Sequence, residues 1–243
     1  MAIYGVVDWA KTQSLKSIIL AMLGFVGASF FHGASAIGAA TFILYIGAFT
    51  IKEMFNSIKE FKIRLSHIVI VICFIIIIIL YFSNYIYLPY IHDFEFISDP
   101  NTFMRKTRVS VIGTAAYPEW LIARSTIELF YKVPLRGFYF LFSPFPWDVK
   151  ELKHLIGLFD AFLFIYLVSL IIRNFKTIWR DRALKLILLI LVSYVIAFAV
   201  GVGNFGTGIR HRSKFVALFV LLVAPLINKF VFKKKSFKEN LDN

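Results

Sequence analysis

Apolar runs that approach 20 residues dominate this 243-residue chain, and short charged segments separate them. A helix of about 20 apolar residues is long enough to cross the hydrocarbon core of a bilayer. Only 17% of the residues are charged and the mean hydropathy is +0.77, whereas roughly a quarter of the residues in a soluble domain are charged. The sequence therefore predicts an all-α, polytopic membrane protein.

The chain is predicted to form one integral membrane domain over residues 1–243, with about six transmembrane helices. The first two runs are short and rich in small residues, which permit close helix contact in lipid, so they form either a hairpin or one long broken element. Cys73 lies inside the third run, and a single cysteine can close neither an internal disulfide nor a zinc knuckle. The six runs are 15–31, 34–51, 66–83, 155–172, 184–202 and 214–232.

Basic residues fall into four clusters between these runs, and six spans place all four clusters on the same side of the membrane. The positive-inside rule makes that side cytoplasmic. Both termini are then cytoplasmic, and residues 84–153 form a long, partly helical outer loop. The net charge of +13 mostly reflects this orientation, so nucleic-acid binding is not needed to explain it. The clusters are Lys11 and Lys16; Lys52, Lys59, Lys62 and Arg64; Arg173, Lys176, Arg180, Arg182 and Lys185; and Lys233, Lys234, Lys235 and Lys238.

The segment "GVGNFG" at 201–206 matches the letter pattern of a dinucleotide-binding loop. That fingerprint needs a preceding strand, a following helix and an acidic residue about 20 positions later. Here a predicted membrane helix precedes the segment, and the next acid is Glu239. The glycines are better explained as the turn by which the chain leaves one span and enters another.

Arg210, His211 and Arg212 follow this turn at a predicted outer boundary, against the positive-inside bias. One interpretation is that the arginines are anchors whose heads reach the lipid phosphates. The other is a fixed site for phosphate or pyrophosphate, which suits the permanently charged, bidentate guanidinium. His211 can titrate or donate a hydrogen bond, although a helical turn would point it away from the arginines.

The outer loop contains Arg105, Arg108 and Arg124, which are either a solvated surface or part of a substrate site. Further along, Ser125 and Glu128 have capping-box spacing, which predicts a short interfacial helix that reaches about residue 131 and stops before the proline at 134.

The aromatic stretch "GFYFLFSPFPWD" ends in Trp147 and Asp148, and its prolines oppose regular helix. Its rings either form an aromatic belt at the membrane interface or line a binding site for a sugar or a polyprenyl tail. His32 interrupts an apolar run. A polar ring in such a place is either a functional residue or a structural one that is hydrogen-bonded at a helix break. Asp93 and Glu95 form a D-x-E pair that is either plain surface or a metal site.

Several stretches resemble one family: "SFFHGAS", "GTAAYPEWL…STIELFYKVPLRGFYFLFSPFPWD…HLIGLFDAF" and "GNFGTGIRHRSKF". Over about residues 20–230 the chain resembles the C-terminal half of bacterial O-antigen and capsular repeat-unit polymerases of the Wzy type. Family members usually have more membrane spans, so the resemblance implies a truncated or split polymerase.

The resemblance implies a glycosyltransferase of the C superfamily (GT-C-like fold) in the bacterial inner membrane, without a metal or other cofactor. It would transfer a growing glycan from undecaprenyl pyrophosphate onto a sugar hydroxyl of a new lipid-linked repeat unit, making O-antigen, capsule or exopolysaccharide. Membrane lipid, flippase and chain-length regulator proteins are the implied partners, and nucleic acid is not. The implied catalytic residues are Arg210, Arg212 and His211, and the implied substrate-binding residues are His32, Arg105, Arg108, Tyr117, Arg124 and Trp147.

Two other functions are compatible with the sequence. A metal-dependent transferase that uses a polyprenyl-phosphate sugar would require Asp93 and Glu95. A non-catalytic export or flippase subunit would require charges inside the spans, and Asp160 is the residue that fits.

Overall fold

The computed structural model describes residues 1–33, 35–59, 113–152 and 154–226. Within these ranges the protein is 84% helical and has no strands, which confirms the all-α expectation. The helices are α1 (Ala2–Thr12), α2 (Leu15–Phe31), α3 (Ser35–Lys59), α4 (Thr126–Phe142), α5 (His154–Arg173), α6 (Phe175–Arg180), α7 (Arg182–Gly201), α8 (Phe205–Arg212) and α9 (216–226), with single 3-10 turns at Glu119–Leu121, Pro146–Asp148 and Ser213–Phe215.

Three helices in the described part of the chain are long and apolar enough to cross a membrane: Ser35–Asn56 of α3, all of α5 and all of α7. They match three of the six predicted spans. The run 15–31 forms α2 with the predicted bounds, but it has 17 residues and is shorter than these three. The run 66–83 lies outside the described residues, and 214–232 is described only as far as 226.

The outward surface of α5 is apolar along its length. Ile156, Phe159 and Phe162 are each more than three-fifths exposed. Contiguous apolar surface of this kind is rare on soluble monomers, and it is the normal surface of a helix that faces lipid. The exposure of α5 is therefore compatible with a membrane protein.

The first two apolar runs fold as a helical hairpin. Phe25 of α2 and Phe42 of α3 lie seven residues before His32 and seven after Ser35, and their ring centroids are 6.5 Å apart. Residues equidistant from a break come together only when the two helices fold back on each other. The runs therefore do not form one long broken element.

Helix α1 packs antiparallel along the first part of α2 at very close range. A Cβ atom on Gly24 would lie 2.3 Å from the backbone nitrogen of Ala2, and one on Gly5 would lie 2.5 Å from that of Ala21. The glycines thus let the two backbones approach each other, and the first residues of the chain lie beside the middle of α2. On its other side α1 presents Trp9, which packs edge-on against Phe42, Tyr45 and Phe49 of α3.

Helices α3 and α7 are antiparallel neighbours. The Thr41 hydroxyl donates to Ser193 Oγ at 2.8 Å, and nearer the end of α3 the Arg182 guanidinium lies 4.8 Å from the centroid of the Phe49 ring. Arg182 also donates to the carbonyl of Ala10 at 3.5 Å. One end of the bundle, which we call the basic end, therefore holds the cluster at the α1–α2 turn, the cluster of the α5–α7 link and Lys52 near the end of α3. Lys62 and Arg64 lie outside the described residues. The fourth cluster lies outside the described residues.

The two predicted outer segments meet at the opposite end of the bundle, which we call the site end. The backbone N–H of Tyr117 donates to the carbonyl of Gly203 at 2.9 Å, and that of Phe205 donates to the carbonyl of Ala115 at 3.0 Å. These bonds pair the segment before α4 with the turn between α7 and α8. Elements far apart in sequence are thereby held together at the site end.

The start of α4 was predicted correctly. The Ser125 hydroxyl accepts a hydrogen bond from the N–H of Glu128 at 3.2 Å. The Glu128 carboxylate accepts one from the N–H of Arg124 at 3.0 Å and pairs with Lys132 at 2.9 Å. The cap supplies a partner for the N–H of Glu128, which has none within the helix.

The predicted end of α4 is wrong, because the helix continues past Tyr131 to Phe142 with Pro134 inside it. Proline removes one backbone hydrogen bond and crowds the preceding turn, at a cost of about 3 kcal/mol in a helix interior. The residues after Pro134 are held by tertiary contacts, since Arg136 and Phe140 are buried against α7 and α8. Packing thus outweighs the local preference.

Candidate functional site

Helix α8 forms the centre of the site end, and it begins directly after the glycine-rich turn. The Asn204 side chain caps it by accepting hydrogen bonds from the N–H groups of Gly206 at 2.8 Å and Thr207 at 3.3 Å. The element before the turn is α7, a helix, so the strand that a dinucleotide loop requires is missing here. The segment 201–206 is a turn, as predicted, but the helix that follows it has eight residues and is too short to be the predicted next span.

The three consecutive side chains at the end of α8 point in three directions. Successive helical residues are separated by about 100°, and here the Arg210 side chain is exposed, that of His211 is half-buried, and that of Arg212 is 0% exposed. The structure therefore does not bring Arg210 and Arg212 together in one anion-binding site. Each of the three has its own environment.

Arg212 is enclosed between α4 and α5. Its Nε donates to the Asp160 carboxylate at 2.6 Å, and one of its terminal nitrogens donates to the carbonyls of Phe140, Leu141 and Ser143 at 3.1, 2.9 and 2.6 Å. These carbonyls end α4 and have no partner within that helix. The guanidinium is thus occupied by a carboxylate and a helix terminus, a geometry that favours a structural role for Arg212. The same pair neutralises Asp160, the charge within α5 on which the flippase alternative depends.

Arg136 is a second buried arginine, and sequence reasoning missed it. It lies on α4, is 2% exposed, and donates to the carbonyls of Ala199, Val200 and Val202 at the end of α7, and to that of Leu121. The negative end of the α7 dipole offsets its charge. A lone basic residue in an aromatic stretch looks like surface in the sequence, so no local signal identified it.

His32 and His211 come together, although 179 positions separate them in the chain. Their rings stack with centroids 5.4 Å apart at 14°, and both rings pack against Phe198 of α7. Among the described residues, His32 Nε2 and His211 Nδ1 are buried without a hydrogen-bond partner. A cavity of about 270 Å³ adjoins His211, and its other lining residues are apolar residues of α3 and of the end of α7, with Thr207.

The environment of these rings disfavours the charged imidazolium. Burial, and then the charges of Lys214, His32 and Arg210, lower the pKa of His211 to about 4. Burial, Lys214 and Arg210 also lower the pKa of His32. Both histidines are therefore neutral at ordinary pH, and the positive charge at this position belongs to the exposed Arg210 and Lys214.

Tyr117 and Trp147 line a second and larger cavity, of about 460 Å³. Tyr117 is buried and packs edge-on against Tyr139, whereas Trp147 is 71% exposed and stacks on Phe145 at 4.9 Å. Charged groups complete the wall, namely Glu119, Asp148 and Lys150. The Asp148 carboxylate accepts a hydrogen bond from the N–H of Phe145 at 2.9 Å, which fixes the turn that carries Trp147.

Arg124 is not among the residues that line either cavity. Arg124 lies just before the cap of α4 with its side chain exposed. Arg105, Arg108, Asp93 and Glu95 lie outside the described residues. Within the described part of the chain, no group of three or more His, Cys, Asp or Glu side chains is placed to hold a metal ion.

Comparison with known proteins adds no relative: neither a protein-family model, nor a curated protein, nor a solved structure matches this chain.

Proposed function

We propose that this chain is a glycosyltransferase of the repeat-unit polymerase type, acting at the outer face of a bacterial inner membrane. It transfers a glycan from undecaprenyl pyrophosphate to a hydroxyl of the next lipid-linked repeat unit. The observation that carries the proposal is the cavity of about 460 Å³ at the site end, whose wall combines aromatic rings with carboxylates and a lysine.

The cavity has the composition that a sugar requires. A sugar presents an apolar C–H face and a rim of hydroxyls, and pockets for such ligands combine apolar walls with a few placed polar groups. The broad face of Trp147 serves the first requirement, and the polar atoms of Glu119, Asp148 and Lys150 serve the second. The cavity therefore suits the repeat unit that accepts the glycan.

Glu119 is the candidate general base. As the acceptor oxygen attacks the anomeric carbon, its proton passes to the Glu119 carboxylate, and the bond from that carbon to the pyrophosphate oxygen breaks. Asp148 is less free for this task because it caps its own turn.

The departing pyrophosphate carries the developing negative charge, which positioned cations stabilise. Arg210 and Lys214 are exposed at the site end, and neither has a carboxylate partner among the described residues. They replace the pair of Arg210 and Arg212 that the sequence suggested. His32 and His211 are neutral at ordinary pH and add no charge to this site.

The test is polymer formation in a polymerase-deficient strain that expresses the chain. We expect the wild type to give glycan longer than one repeat, and Glu119→Gln to reduce polymer by roughly 100-fold, in line with the loss of a general base. Trp147→Ala should also reduce polymer strongly. The matched controls are Trp120→Ala, an exposed ring beside the cavity but not lining it, and Glu53→Gln at the basic end.

Single repeats from the wild type, or normal polymer from both cavity variants, would overturn the proposal. If polymer formation requires magnesium or manganese and is abolished by Asp93→Asn with Glu95→Gln, the metal-dependent alternative is favoured instead.

A further inference from the structure

The link between α5 and α7 has a position that the fold determines. Both helices are long and apolar enough to cross a membrane, α5 ends at Arg173 and α7 begins at Arg182. Residues 174–181 between them are too few to leave the bilayer surface. The short helix α6 in this link therefore lies where the hydrocarbon core meets the headgroups.

Helix α6 presents three different faces around its axis. Ile178 is fully buried against the bundle. Phe175 and Trp179, four residues apart, stack with centroids 5.4 Å apart and are 47% and 44% exposed. Lys176 and Arg180, also four apart, are exposed on the next face. Residues with this spacing share one side of a helix, so an aromatic strip and a cationic strip lie side by side.

The charges in and around α6 are not compensated within the described residues. Residues 173–185 include five basic residues, and the one acid among them, Asp181, accepts a hydrogen bond from the N–H of Leu184 to cap α7. The ammonium of Lys185 lies 5.3 Å from the centroid of the Trp179 ring. Lys176 and Arg180 make no ion pair with a described residue.

We infer that α6 is a binding site for the headgroup of an anionic phospholipid. Lys176 and Arg180 bind the phosphate, and the half-exposed rings of Phe175 and Trp179 lie at the level of the glycerol and upper acyl chain. Aromatic rings with one wet edge favour this depth, and basic residues beside spans attract anionic headgroups. An acidic protein would match the cations but not the aromatic strip beside them. The inference is independent of the proposed catalytic function.

The test measures lipid retained by the full-length protein in neutral detergent, by native mass spectrometry with added phosphatidylglycerol or phosphatidylcholine. We expect the wild type to retain phosphatidylglycerol in preference. Lys176→Gln with Arg180→Gln should weaken that binding roughly 30-fold, since each basic residue near an anionic surface is worth about a factor of five. Lys176→Arg with Arg180→Lys keeps the charges and should keep most of the binding.

The matched control is Lys11→Gln with Lys16→Gln, which removes the same charge from exposed positions at the same end of the bundle but outside α6. If this control loses phosphatidylglycerol as strongly as the α6 variant, the binding is general attraction and the inference fails. Equal retention of both lipids by the wild type would also overturn it. So would loss of the preference for phosphatidylglycerol when millimolar inorganic phosphate is added, because the site would then bind phosphate and not the lipid. Thermal unfolding of each variant checks that the fold is intact.

Discussion

Two arginines with buried side chains hold the ends of neighbouring helices at the site end. Arg136 of α4 binds the last carbonyls of α7, and Arg212 of α8 binds the last carbonyls of α4. A buried guanidinium is stable only when its N–H groups are hydrogen-bonded. Each arginine therefore satisfies a helix terminus, and the terminus in turn offsets the cost of burying the charge.

Replacing Arg212 by methionine leaves the Asp160 carboxylate and three carbonyls without their donor. We expect a loss of about 3–5 kcal/mol in the free energy of unfolding, which is typical when one partner of a buried ion pair is removed. Arg210→Met, two residues away but exposed, should change it by less than about 0.5 kcal/mol. Denaturant unfolding in detergent measures both. Equal stability of the two variants would contradict the structural role of Arg212.

His211 gives a pH dependence whose sign follows from its lowered pKa. As the pH falls below 6.5 the unfolded chain binds a proton at His211, whereas the folded protein does not do so until about pH 4. The unfolded state binds more protons in this window, so stability falls as the pH drops from 6.5 to about 4. The unfolding temperature should therefore be lower at pH 5 than at pH 7. His211→Gln should flatten this slope, and an unchanged slope would assign the effect elsewhere.

At the scale of elements, the contact between α1 and α2 depends on the absence of side-chain atoms. Gly24 faces the backbone of Ala2 at a distance that no Cβ tolerates, whereas Gly27, one turn later, has open space around it. The two positions on one helix therefore separate the effect of packing from that of helix propensity.

We expect Gly24→Ala to push α1 away from α2 and to cost about 1–3 kcal/mol, as overpacking does. Gly27→Ala should be neutral or stabilising by about 0.5–1 kcal/mol, because alanine favours the helix. Thermal unfolding compares the two variants. Equal behaviour of the two variants would argue against close packing of α1.

Periodic and capping signals predicted the elements that depend on local sequence. The bounds of α2 and the Ser125 cap of α4 followed from apolar runs and hydrogen-bonding residues that are neighbours in the chain. The continuation of α4 through Pro134 did not, because it depends on contacts of later residues with α7 and α8. The stack of His32 on His211 and the burial of Arg136 are likewise long-range, and no pattern within a short window encodes them.

At the scale of the whole molecule, the charges are sorted between the two ends. Among the described residues, the structure brings the basic residues of the α1–α2 turn, Lys52 and the basic residues of the α5–α7 link to the basic end. It brings the two predicted outer segments to the site end, which is the grouping that the predicted order of spans implies. This sorting is what the positive-inside rule requires of a protein whose basic end faces the cytoplasm.

Cysteine labelling in intact cells tests that orientation, after Cys73 is replaced by alanine. We expect a cysteine at Lys150, exposed at the site end, to react with an impermeant thiol reagent. A cysteine at Thr177, exposed on α6 at the basic end, should react only after the cells are permeabilised. Reversed reactivity would show that the protein has the opposite orientation.

The carbonyls that end α4 bind a residue located 69 to 72 positions later in the chain. A ribosome therefore completes α4, α5 and α7 before it synthesises the donor, Arg212. During that interval the carbonyls at the end of α4 lack Arg212 as a donor and accept hydrogen bonds from water or from other groups instead. The site end can close only when synthesis has passed α8, so translation that stops shortly before Arg212 leaves the earlier helices without a completed site end.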